Sequence, residues 1–77
     1  VNRAIAEVEE WIDHYERLIA MCKQSVSSLL EESRFERCNL SRVHNEHQIK
    51  GLETEIGCYR KFQAQLRGVL EAIHEDQ

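Results

Sequence analysis

Residues 4–29, AIAEVEEWIDHYERLIAMCKQSVSSL, decide the fold. Within them Ile5, Val8, Ile12, Tyr15, Ile19, Cys22, Val26 and Leu29 recur at steps of three and four. That spacing lines all of them along one stripe of an α-helix. No glycine or proline occurs from residue 4 to residue 50, so no strong local breaker stops such a helix. An apolar stripe this long has to be covered by other helices. The segment therefore predicts an interaction element, not an enzyme.

The repeat is seven residues long. Ile5, Ile12, Ile19 and Val26 take the first core position, and Val8, Tyr15, Cys22 and Leu29 take the second. β-Branched residues at the first position suit a parallel two-stranded coil. The flanks do not. Ala4, Trp11 and Leu18 precede the three isoleucines, where a two-stranded coil usually carries charge. The apolar face is broader than a two-stranded seam, so three or more helices share it, or the chain folds back on itself. The other edge, Glu9, Glu16 and Lys23, is polar.

Continued past residue 30, the same frame puts Ser33, Glu36, Leu40, Val43 and His47 in the core, and then Thr54, Lys61 and Gly68. The last three are implausible core residues. A second frame takes over, with Ile49, Leu52, Ile56, Tyr59, Leu66, Leu70 and Ile73, and Gln63 as its polar member. It too has an apolar flank, Phe62 and Val69. The frame shifts by two residues between about Leu30 and Ile49.

Two arrangements fit that shift. In the favoured one, an all-α antiparallel helical hairpin associates into a coiled coil or four-helix bundle. Helix 1 spans about 3–38 and helix 2 about 42–75, within a single unit covering residues 1–77. Ser33-Arg34-Phe35-Glu36 fits a helix-starting capping box, and Asn45 with Gln48 is a weaker start signal. Asn39-Leu40-Ser41, at the chain midpoint, suits a turn. A fold near residues 39–45 would bring Leu18 level with the Val69 region and Phe62 toward Val26. In the alternative, one continuous helix of roughly 110 Å changes its winding locally.

Composition excludes several classes. The chain has 77 residues, a net charge of −4, and 31% charged residues of both signs spread along its length. Nucleic acid is not an expected partner, because phosphate recognition needs a concentrated basic face. No apolar run approaches the roughly 20 residues that span a bilayer, so membrane insertion is not expected. The first residue is Val1, and we expect a segment of a larger protein. Three cysteines without a CxxC pair point to reduced thiols and an intracellular, cytoplasmic or nuclear, setting.

Residues with chemical potential are sparse. Cys38, His44 and His47 do not form the paired short spacings of a structural zinc site. A metal- or redox-switched module built on Cys22, Cys38, His44 and His47 is the least favoured reading. Cys22 is expected as a small buried side chain, and Cys58 falls outside the stripe. The carboxylates lie on helix faces without a desolvating cleft, so no catalytic residue and no cofactor is expected. Gly51, Gly57 and Gly68 are either tolerated outer positions or points of close approach by a partner.

Val8-Glu9-Glu10-Trp11-Ile12 resembles the early part of the first helix of spectrin-type repeats, where a tryptophan beside an aliphatic residue anchors a three-helix bundle. The resemblance covers about a dozen residues of a chain shorter than a full repeat, and no family is assigned from it. The expected function is non-catalytic oligomerisation or scaffolding, with a homodimer as the expected assembly. A heteromeric docking module, completed by helices of another protein, is the alternative. The interface residues expected are the first stripe with Trp11 and Leu18, and the second stripe with Phe62 and Val69.

Overall fold

The computed structural model describes residues 2–35 and 39–75. Two helices account for all of them, α1 (Asn2–Phe35) and α2 (Asn39–Glu75). They pack against each other along their lengths as a hairpin. The Cα trace measures 59 × 14 × 12 Å. That length is about half what one straight helix of this chain would reach at 1.5 Å per residue, so the continuous-helix alternative does not hold.

Burial follows the two sequence frames. In α1 the partly or fully buried positions are the eight stripe residues together with Leu18 and Ser33. In α2 they are Ser41 and Asn45, followed by the second frame from Ile49 to Ile73, Gln63 included. Each frame repeats every seven residues, so the two stripes stay face to face along the seam. The two frames belong to two different helices, so the frame shift marks the passage from α1 to α2.

Cross-contacts fix the register. Gln63 Nε2 donates to the Ile12 carbonyl at 3.0 Å. The Cys22 thiol reaches Glu55 Oε2 at 3.5 Å. Asn45 Nδ2 donates to Ser33 Oγ at 3.2 Å. Between these polar contacts Ile19, Cys22 and Ile56 form the buried apolar centre, with Leu52 and Tyr59 packed on it.

Several expectations change. The reversal precedes residues 39–45, and the register moves with it. Phe62 meets Tyr15, with ring centroids 5.7 Å apart, and not Val26. Leu18 lies beside the Ile19–Ile56 layer, well away from Val69 near the open end. Ser33 is no helix start: it sits in the last turn of α1, and its hydroxyl serves Asn45. Asn45 is likewise inside α2, buried in the seam. Leu40, Val43 and His47 are exposed, because the first frame stops with α1. Glu36 and Cys38 lie outside the described residues.

Candidate interaction flank

A two-helix hairpin hides one seam and leaves two flanks. The seam takes Ile5, Val8, Ile12, Tyr15, Ile19, Cys22, Val26 and Leu29 from α1, and Ile49, Leu52, Ile56, Tyr59, Leu66, Leu70 and Ile73 from α2. These fifteen expected interface residues are therefore occupied, wholly or in part, by the chain itself. What remains outside depends on the residues one step off the seam.

One flank is charged. Glu9, Glu16 and Lys23 of α1 share seven-residue spacing, as do Glu46, Glu53, Arg60 and Arg67 of α2, and all are exposed; the next member of the α1 series, Leu30, is an exposed apolar residue near the reversal. Glu16 marks this side of the seam, because its Oε2 accepts the second Gln63 Nε2 bond at 2.9 Å.

The other flank is apolar at one end and grooved at the other. The groove is lined by Met21, Ser25 and Ser28 of α1 and by Gln48, Gly51 and Glu55 of α2, with Leu29 and Leu52 in its floor. Seven and fourteen residues before Ser25 stand Leu18 and Trp11; seven and fourteen after Glu55 stand Phe62 and Val69. The seven-residue repeat of the seam keeps all four on the grooved side. Trp11 is 54% exposed, Phe62 44% and Val69 48%, and Leu18 is half-buried. A second, smaller recess continues the groove toward the reversal, between Glu32 of α1 and Ser41 and His44 of α2.

Aromatic contacts organise the apolar end. Trp11 stands edge-on to His14 at 5.4 Å and tilts against Tyr15 at 6.0 Å. Tyr15 stacks on Tyr59 at 5.8 Å and also touches Phe62. Tyr15 thus supports both exposed rings from beneath. Tryptophan is enriched at interface hot spots, and phenylalanine among the residues at interface cores.

The Cys22 thiol in the seam is pushed above the ordinary thiol value by loss of water, reinforced by its hydrogen bond to Glu55 and by the charge of that carboxylate. A nucleophilic thiol needs the opposite shift. Loss of water also raises the Tyr59 phenol, with the Glu55 charge as the next cause. Among the described residues no group of three or more His, Cys, Asp or Glu side chains could hold a metal ion. Cys38, one arm of the metal reading, lies outside them, and His44 and His47 are exposed. No described helix is long and apolar enough to cross a membrane.

Sequence reasoning missed Asn45 as a seam residue. Its signal was present: it lies four residues before Ile49, one step back along the second frame. Comparison with known proteins returns no matching family model, no matching curated protein and no matching solved structure.

Proposed function

We propose that this chain is a non-catalytic protein–protein interaction and oligomerisation module that works through its apolar flank. One observation carries the reading: Trp11, Leu18, Phe62 and Val69 come from both helices yet stand on one side, while the opposite side is charged except at Leu30. A lone exposed leucine needs no explanation, but a contiguous apolar patch marks an interaction surface. The hairpin's own core is thin, with Ile19, Cys22 and Ile56 as its buried apolar residues among those described. Chains of this size commonly gain stability by association. Covering the flank with a second hairpin gives a four-helix bundle, and the homodimer is the form we favour. The intracellular setting inferred from the cysteine spacing belongs to the same proposal.

Size exclusion with light scattering tests it. The purified chain is expected to run as a dimer at micromolar concentration. Trp11→Glu combined with Phe62→Glu is expected to give a monomer with unchanged helical circular dichroism. Ile19→Asp is expected to do something different, because Ile19 is 2% exposed inside the hairpin. Burying an unpaired charge there unfolds the helices themselves. A wild-type chain that stays helical and monomeric at several hundred micromolar overturns the homodimer. Folding only beside helices of another protein would favour the heteromeric alternative.

A further inference from the structure

The grooved flank is complementary to itself, and this gives the proposed dimer a direction. Resting on that proposal, we infer that a second copy docks with its ends reversed, the aromatic end of each hairpin seated on the groove of the other. Phe62 and Gly51 are eleven residues apart on α2, roughly 16 Å at 1.5 Å per residue. Trp11 and Ser28 are seventeen apart on α1. The midpoints of both intervals fall at the same level of the fold, beside Ile56 and beside Ile19, which pack on each other in the core. A single two-fold axis lying across that level serves both helices at once. It brings Phe62 of a second copy over Gly51, and Trp11 over Ser28. Leu18 of each copy then meets Met21 of the other, so the apolar contacts continue through the axis.

Bulk against bulk is the result of the opposite choice. With both open ends together, the Trp11, Leu18, Phe62 and Val69 sets of two copies would crowd one end, and both grooves would remain empty at the other. Reversal pairs large with small at both ends of the contact, Phe62 with Gly51 and Trp11 with Ser28, as dense packing requires. It is also an isologous contact that closes at two copies. Overlap is complete because the axis lies near the middle of the 59 Å hairpin. The hairpin is 59 Å long and 14 Å wide across its Cα atoms, a face large enough to hold an interface of the standard size, about 800 Å² per copy. Gly51 has a purpose in this arrangement. A side chain there would meet nothing within 4 Å in the hairpin itself, so the space it leaves is available to the second copy.

Two measurements test the direction separately from dimerisation. Gly51→Trp fills the groove, and Gly57→Trp makes the same change at a position off that groove, also without a neighbour within 4 Å. Sedimentation equilibrium is expected to show at least tenfold weaker association for Gly51→Trp and no change for Gly57→Trp, both remaining helical. Equal association of Gly51→Trp and wild type overturns the inference. The second measurement is the distance between spin labels at Ala6→Cys, near the open end, with Cys22→Ala, Cys38→Ser and Cys58→Ser removing the native thiols. Reversed copies are expected to separate the labels by about 40 Å, at 1.5 Å per residue from the axis. A dimer whose labels lie within about 20 Å keeps the proposed function but overturns the direction. A chain that never self-associates overturns both. The tryptophan comparison keeps the native thiols and stands even if the thiol-free background fails to fold.

Discussion

Gln63 shows how one polar side chain can sit in an apolar seam. It is 3% exposed, and its amide donates to both the Ile12 carbonyl and Glu16. Gln63→Ala removes both bonds and leaves a gap. We expect a loss of about 1–3 kcal/mol in urea unfolding. Gln63→Leu removes the bonds and leaves the same two acceptors behind but keeps the volume, and is expected to cost less than Gln63→Ala. Cys22 makes a pH prediction. Its folded pKa is raised above the ordinary 9.0, chiefly by loss of water. Below pH 9.0 the thiol is protonated in both states, so the contribution is fully present. As pH rises past that value the unfolded chain ionises first, and stability is lost until the folded thiol ionises too. Tyr59 acts with the same sign at higher pH, from its ordinary 10.0. Thermal melts of reduced protein between about pH 8.5 and 10 should fall less steeply for Cys22→Ala than for wild type.

At the scale of the helices, α1 carries no glycine and α2 carries three. None has a positive φ, and none has a neighbour that an added Cβ would touch. Gly57→Ala and Gly68→Ala, away from the groove, should each add up to about 1 kcal/mol. Calorimetry should read this as a rise of about 4–8 °C per kcal/mol for a domain of this size. The helices were legible because the stripes are unambiguous. The Ile5 and Ile49 frames, and Gln63 as a seam position, follow from spacing alone. The reversal was not legible at its true place. Without glycine or proline before residue 51, the frame shift bounds the turn only to a span of about twenty residues, within which Ser33, Asn39-Leu40-Ser41 and Asn45 all offer competing local markers. Ser33 and Asn45 looked like helix starts because short polar side chains that cap helices can equally bond across a seam. Their pairing depends on a register that no local rule sets. The apolar flank was visible as Trp11, Leu18, Phe62 and Val69. The groove beside it was not, because it arises only when Gly51 is brought opposite Ser25 and Ser28.

The whole molecule is a long, thin pair of helices, and its cross-contacts enclose very different lengths of chain. Ser33 and Asn45 are 12 residues apart, Cys22 and Glu55 are 33, and Ile12 and Gln63 are 51. Closing the longest of these loops directly costs about 1.3 kcal/mol more than closing the shortest, by the logarithmic dependence of loop entropy on length. If the Ser33–Asn45 contact forms first, each later contact closes only a small additional loop. The hairpin should therefore fold as a zipper that starts beside the reversal and runs toward the open end. Stopped-flow measurements on Asn45→Ala and Gln63→Ala would show the order. Asn45→Ala is expected to slow folding, whereas Gln63→Ala should mainly speed unfolding. Equal effects on the folding rate would mean that the seam closes all at once. The open end, which carries Trp11 and Phe62, is then the last part to form and the first to fray, so the surface offered to a second copy exists only once the whole seam has closed.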